Sequence, residues 1–416
     1  MKKLLIMGAN PETVSLIKKA RQMGIYTVVT DNDPNAFAKK YADKAANVDA
    51  IDVDKLVELA LSEKVDGVVV GVAESLLKPY CEVCKILNFP CFSTPEIFEV
   101  MVRKNLFKEA CRKYDVPVIE EYNETDTENI KFPVIVKPTD SCSSKGITVC
   151  NTETELKTAI DYAKSFSKSG KVIIEKYMTG DEVISYYVIQ DGEPIFVGMC
   201  DRYTYKQTDK TVQLPTSYIF PSRHIDSYIK HTDSHIKQML KGLGLRNGSI
   251  FFQSFAGDDG VVRTYEPGYR LNGAQEHLIV SKISGIDAKE LYINYALSGK
   301  ASDKNLADIA NPNHNQIACK LSPLVTTGKI SKLSGLDEIE KLRDVVSVNP
   351  SYNEGDTVSG YGTLKQIIYR FFIVSQNKAD LVSTIEKIYQ LLKVEDENGQ
   401  DMLIGKFDTR IIGDLY

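Results

Sequence analysis

Two lysines frame the stretch KPTDSCSSKGI, residues 137–147, and most residues between them are small or hydroxylated. The preceding run FPVIV (132–136) is apolar and reads as a buried strand. GITVC after it reads as another, so the stretch is the tip of a hairpin. Backbone amides and hydroxyls at such a tip can wrap phosphate oxygens, with Lys137 and Lys145 adding positive charge. A Walker loop would instead need G-x-x-x-x-G-K-[ST] ahead of a helix. Taken alone, the segment reads equally well as a solvated hairpin.

Downstream residues supply partners. EKYMTGDE (Glu175–Glu182) is a strand end and a polar turn, able to offer backbone groups to an adenine edge and a carboxylate to ribose; it also reads as a plain acidic turn. Gln253 and Glu266 lie in SIFFQSFAGDDGVVRTYEPGYR, on two strands joined by GDDG, and a hairpin can bring them level. Two oxygen donors facing one pocket suit a hard cation such as Mg²⁺, which shares its shell with substrate phosphates. Arg270, four residues after Glu266, can clamp a phosphate or carboxylate bidentately.

These residues need a frame. Residues 1–95 alternate strands (KLLIMG, YTVVTD, DGVVVG) with helices (PETVSLIKKARQMG, DVDKLVELALSE, SLLKPYCEVCKILN), which predicts an α/β, doubly wound parallel sheet. The turn after the first strand is GANPET, so only Gly8 of a dinucleotide fingerprint is present, although Asp31 closes the second strand. Residues 96–190 hold the helix PEIFEVMVRKNLFKEACRKY, a polar stretch and a small strand–loop–strand unit with one helix. Strands dominate 191–300. A polar linker at 301–318 opens a C-terminal α+β region, 301–416.

Composition narrows the function classes. With 416 residues, a net charge of −5 and no long basic stripe, nucleic-acid binding is not expected. No apolar run reaches the length of a membrane span, and the first residues do not form a signal peptide, so a cytoplasmic location is expected. The eight cysteines are scattered; the single close pair, Cys81-x-x-Cys84, lacks a second half and reads as structural thiols. His231 and His235, at i and i+4 on a surface helix, lack a third ligand.

In order, the motifs resemble those of the ATP-grasp superfamily over residues 1 to about 299. The likeness rests on RKNLFKEA with Lys104, on FPVIVKP with its loop, on Glu175-x-Tyr177-x-x-Gly180-x-Glu182, and on the metal strand Glu266-Pro-Gly-Tyr-Arg270. It implies a doubly wound first domain, a lid and a core that sandwich ATP, and a small C-terminal α+β domain. By the same resemblance Lys104 and Lys137 contact phosphates, and the loop 139–147, with Ser143, Ser144, Lys145 and Gly146, closes over them. The backbone at Lys176 and Met178, flanking Tyr177, and the Glu175 side chain hold adenine, and Glu182 binds ribose. Gln253 and Glu266 ligate Mg²⁺ (or Mn²⁺); a glutamine at the first position is similar to the carbamoyl-phosphate synthetase large chain. The family's asparagine between the metal glutamate and the arginine is Gly268 here, which leaves the number of metals open. NGAQEHLIV resembles biotin carboxylase and places Glu276 and His277 near substrate; Arg202 is a candidate for a substrate carboxylate. The tail resembles that of L-amino-acid ligases and biotin-carboxylase-like enzymes, without a biotin attachment lysine.

The activity so implied is an ATP-dependent carboxylate–amine ligase working through an acylphosphate on small-molecule substrates. Its alternatives are a bicarbonate-activating carbamoyl-phosphate-synthetase-like or carboxylase-like enzyme, or a nucleotide-binding protein with a degenerate metal site. Related folds often dimerise, which makes a homodimer the assembly to test.

Overall fold

The computed structural model describes residues 1–124, 129–140, 146–207 and 213–416. Three sheets build the frame. The first has four parallel strands in the order Lys44–Ala46, Tyr26–Thr30, Lys3–Met7, Gly67–Val70. Its central strands are near-continuous apolar runs because helices cover both faces. Asp52 starts the helix Val53–Glu63 by accepting the Lys55 amide, and Thr94 caps Pro95–Val102 in the same way. The strand order reverses between Lys3–Met7 and Gly67–Val70, and the loops leaving the carboxyl ends of these two strands flank that crevice.

The second sheet is antiparallel: Glu121–Tyr122, Val172–Lys176, Val134–Pro138, Thr148–Cys150. FPVIVK and GITVC thus pair as the expected hairpin, Val134 opposite Cys150. The helix Glu153–Ser165, capped by Thr152, covers one face with Leu156, Ala159 and Ala163, which pack on Val134, Val136, Cys150 and Ile174.

The third sheet has eight antiparallel strands: Val262–Gly268, Gly248–Ala256, Asp181–Gln190, Glu193–Tyr205, Leu214–Phe220, Ile317–Leu321, Tyr369–Ser375, Val345–Pro350. It runs without interruption across residue 300, because Leu214–Phe220 hydrogen-bonds to Ile317–Leu321. The helix Lys378–Leu391 buries Leu381, Ile385 and Ile388 against its far end.

Two helical readings need correction. The segment 95–114 is two helices, Pro95–Val102 and Lys104–Lys113, broken at Arg103, which is extended and opens the second. His231 ends one helix, Ile225–His231, and His235 lies in the next, Asp233–Gly242, where its Nδ1 is 3.2 Å from the Tyr114 carbonyl. Thr232 separates them, so the pair does not share one helical face. Among the described residues no helix is long and apolar enough to cross a membrane.

Candidate functional site

Lys137 is the penultimate residue of the strand Val134–Pro138, and Glu175 lies on the neighbouring strand Val172–Lys176. The alternation of side chains puts both on the face turned toward the eight-stranded sheet. There the Lys137 ammonium pairs with Glu175 Oε2 and lies 5.7 Å from the centre of the Tyr265 ring. Tyr265 precedes Glu266 on the edge strand of the large sheet. A strand of the four-stranded antiparallel sheet and the edge strand of the eight-stranded sheet therefore meet at one place.

The helix Lys104–Lys113 supplies two more cations on one face, at i and i+4. Lys104 Nζ is 3.6 Å from Glu266 Oε1. Lys108 pairs with Glu175 Oε1 and lies 3.1 Å from Glu121 Oε1. Lys108 and Glu175 are each 1% exposed, so this is a fully desolvated cluster. Burial pushes Lys108 and Lys137 down to about 7, and neighbouring cations add to the shift. Glu175, with Glu121 beside Lys108 and Glu266 near Lys137, works in the opposite direction, and burial outweighs them.

A consequence can be measured. Phosphate oxygens would supply the missing negative charge and raise the lysine pKa. Nucleotide binding is then expected to take up a proton above about pH 7 and none well below it. Calorimetry in two buffers of different ionisation enthalpy should give uptake at about pH 8 and no net uptake at about pH 6. Equal uptake at both would contradict the assignment.

Gln253 and Glu266 are direct register partners across their hairpin, brought level by a shift in register between Gln253 and Ser254. The Gln253 Oε1 sits 2.8 Å from the Tyr265 hydroxyl, and the same hydroxyl lies 2.6 Å from Glu182 Oε1. Burial pushes that hydroxyl well above its usual pKa, so it stays protonated and can serve only one of the two oxygens at a time. No group of three or more His, Cys, Asp or Glu residues is placed to hold a metal among the described residues. Two side-chain oxygens from Gln253 and Glu266 fit a Mg²⁺ that completes its shell with phosphate oxygens and water.

Gly268 faces Phe251 across the ladder, and a Cβ at Gly268 would fall inside the Phe251 ring. The ring occupies the space an asparagine would need. Gly268→Asn is therefore expected to destabilise the protein by about 1–3 kcal/mol rather than add a ligand. A lowered denaturation midpoint, partly recovered by adding Phe251→Ala, checks this.

Glu182 faces Arg202 as well as Tyr265. Arg202 is not a surface residue: its side chain is 19% exposed, and its Nε donates to the Tyr218 hydroxyl at 3.3 Å. Tyr218 in turn carries the Lys320 ammonium 3.7 Å above its ring, and Lys320 donates to Glu276 Oε1 at 2.8 Å. Lys320 is 1% and Glu276 0% exposed. Burial lowers Lys320 to about 8, with Glu276 opposing the shift. A line of charged and aromatic side chains thus links the strand Val262–Gly268 to the strand Ile317–Leu321.

Arg270 Nη2 lies 3.5 Å from Glu74, in the loop after the strand Gly67–Val70. Arg370, on Tyr369–Ser375, lies 3.6 Å from Glu12, in the loop after Lys3–Met7. Two arginines from the large sheet thereby close over the crevice where the first sheet reverses its order. His277 opens the helix His277–Ser284 and is buried against a cavity of about 30 Å³ shared with Arg270 and Asn272. Neither of its ring nitrogens, nor Arg270 Nε, has a hydrogen-bond partner among the described residues. Burial drives the imidazole down to about 3, so it is neutral near pH 7.

At the hinge, Lys176, Tyr177 and Met178 line a cavity of about 440 Å³ with Val118, Gly180, Asp259 and Arg263. A Cβ at Gly180 would collide with the Ala256 carbonyl, so the hinge can lie this close to the large sheet because residue 180 has no side chain. Of the loop residues, Gly146 has φ +74°, a conformation that favours glycine. Ser143, Ser144 and Lys145 lie outside the described residues.

The structure brings Lys104, Lys137, Glu175, Gln253 and Glu266 together, with Glu182 and Arg202 beside them. Lys108, Tyr265, Tyr218, Lys320, Glu12, Glu74 and Arg370 make the contacts described above without having been singled out in the sequence. Lys108 carried a signal, its i+4 spacing from Lys104. Lys320 carried a fainter one, a lone charge inside the apolar run IACKL.

Residues 130–274 match the family model described as the ATP-grasp domain. The carbamoyl phosphate synthase large chain of Clostridium beijerinckii is 21% identical over 415 residues, covering 93% of this chain. This chain spans only 37% of that relative's length. Among solved structures, the L-amino acid ligase of Bacillus licheniformis superposes with a TM-score of 0.77 at 17% identity, covering 96% of this chain and 99% of the other. The biotin carboxylase domain of Hydrogenobacter thermophilus 2-oxoglutarate carboxylase, in complex with MgADP, ADP and bicarbonate, gives 0.76 at 17% identity, covering 99% and 94%. At these identities the superpositions speak for the fold. The match to the ATP-grasp domain model is confined to residues 130–274, and the superpositions extend the likeness in fold to 96% and 99% of the chain.

Proposed function

We propose that this protein is an ATP-dependent carboxylate–amine ligase acting through an acylphosphate on small-molecule substrates. The observation that carries the reading is the meeting of Lys137 with Tyr265 and of Lys104 with Glu266. Cations from the lid side and a carboxylate of the large sheet thus face one cleft, the arrangement a Mg²⁺–triphosphate requires.

A carboxylate is a poor electrophile because its leaving group would be an oxide. ATP with Mg²⁺ supplies the phosphoryl group and neutralises its charge. Transfer of the γ-phosphoryl to a carboxylate oxygen breaks the bond to ADP. An amine then attacks the acyl carbon, and phosphate leaves. Gln253 and Glu266 are assigned to the metal, and Lys104, Lys137 and Arg270 to the charge that spreads over the transferring group. The amides of Lys176 and Tyr177 donate to the Glu120 and Pro133 carbonyls at 2.9 and 3.0 Å. The Lys176 carbonyl and Met178 amide are therefore the groups assigned to adenine, with Glu182 assigned to ribose. The crevice closed by Arg270 and Arg370 is assigned to the substrates; the two guanidiniums suit a carboxylate.

Purified protein incubated with ATP, Mg²⁺ and a panel of amino acids tests this. ADP release that depends on both a carboxylate and an amine, with a new C–N bond by mass spectrometry, is expected. Release that depends on bicarbonate alone would favour carboxylase-like chemistry. ATP binding without turnover in any mixture would reduce the protein to a nucleotide-binding module.

A further inference from the structure

Away from the cleft, three cysteines converge. Cys81 and Cys84 lie on the helix Leu77–Leu87. The chain then reverses at Asn88, which takes a left-handed conformation, and carries Cys91 back against the same helix. The Cys81 and Cys91 sulfurs are 3.5 Å apart, in hydrogen-bond contact. The Cys81 sulfur also lies 3.7 Å from the Ser93 carbonyl oxygen. The neighbouring thiols, Cys81 and then Cys84, draw Cys91 below the usual thiol range, which favours its thiolate form. The contact with Cys91 and burial push Cys81 and Cys84 up, so those two remain thiols. Cys91 is half-buried and sits in a loop, whereas Cys81 and Cys84 are buried.

We propose that Cys91 is an oxidant-reactive thiol whose reaction with a hydroperoxide closes a disulfide to Cys81. The Cys91 thiolate attacks one peroxide oxygen and the O–O bond breaks. The leaving alkoxide takes a proton and departs as an alcohol, leaving a sulfenic acid on Cys91. The Cys81 sulfur then attacks the Cys91 sulfur and displaces hydroxide, which leaves as water with the Cys81 proton. Two thiols lose two electrons, and the hydroperoxide gains them. The sulfurs must close from 3.5 Å to about 2.0 Å, a shift the loop at residue 91 can take up.

The neighbouring residue ties this site to the cleft. Phe92 packs edge-on against Tyr269, ring centres 5.3 Å apart, and its carbonyl accepts the Tyr269 hydroxyl at 3.0 Å. Tyr269 immediately precedes Arg270.

The test reads thiol chemistry directly and does not depend on any ligase activity. The reduced full-length protein is treated with a few equivalents of hydrogen peroxide, quenched by alkylation and mapped by mass spectrometry without reductant. The expected product has lost two hydrogens and contains one linkage, between the peptides bearing Cys81 and Cys91, which dithiothreitol reverses. Cys84→Ser protein should still form it; Cys91→Ser protein should lose no thiols. Eight intact thiols in the treated wild-type protein, a sulfinic acid on Cys91 without a disulfide, or a linkage to Cys84 instead of Cys81 would each overturn the proposal. The wild-type map decides the question even if a serine variant fails to fold.

Discussion

Lys137→Ala protein is expected to remain folded and to bind ATP at least about 100-fold more weakly than the wild type. Truncating a buried charge that contacts a partner charge costs about 2–5 kcal/mol, and about 1.4 kcal/mol is tenfold in affinity. The fold should tolerate the change because Glu175 keeps a second buried partner in Lys108. Removing Lys137 also relieves the crowding of two ammoniums around one carboxylate, so the denaturation midpoint should change little. Isothermal calorimetry with Mg²⁺–ATP, read beside a denaturation curve, separates the two effects. Affinity within about threefold of wild type would remove Lys137 from the nucleotide site.

Lys320→Met is expected to do the reverse and to act on stability first. Lys320 and Glu276 are both fully buried and paired at 2.8 Å. Removing the lysine strands a carboxylate in an apolar interior, which costs about 3–5 kcal/mol. Replacing both partners at once, as Lys320→Met with Glu276→Leu, should recover most of that loss, since a well-packed apolar pair often matches a buried ion pair. Denaturant midpoints of the two variants provide the check. A single variant as stable as the wild type would mean that Glu276 finds other compensation, and the line of charged and aromatic side chains from Tyr265 to Lys320 would lose its last link.

Much of the frame was legible in the sequence because local chemistry agrees with the fold. The parallel sheet follows from alternating apolar strands and capped helices, and the hairpin that carries Gln253 and Glu266 from the short GDDG turn, although a register shift at Gln253/Ser254 is what makes the two level. What escaped sequence reading was set by contacts between distant segments. Nothing near residue 300 reveals that Leu214–Phe220 and Ile317–Leu321 share one sheet. The helix break at Arg103 escaped because its residues have helical propensity throughout, and tertiary packing overrides it there. Arg202 reads as a strand-end surface residue until Glu182 and Tyr218 are seen to enclose it. Gly268 reads as a missing ligand, and only the Phe251 ring opposite explains the glycine. Cys91 lies apart from the Cys81-x-x-Cys84 pair in sequence and joins it only because the chain reverses at Asn88.

The central claim is that the lid strand bearing Lys137 and the edge strand bearing Glu266 enclose one triphosphate. A crystal structure of the protein with Mg²⁺ and a non-hydrolysable ATP analogue tests it most directly. Phosphate oxygens within hydrogen-bond distance of Lys104 and Lys137, with the cation on Gln253 and Glu266, are predicted. A nucleotide bound elsewhere, with Lys137 still locked to Glu175 and no ligand between the two sheets, would contradict it.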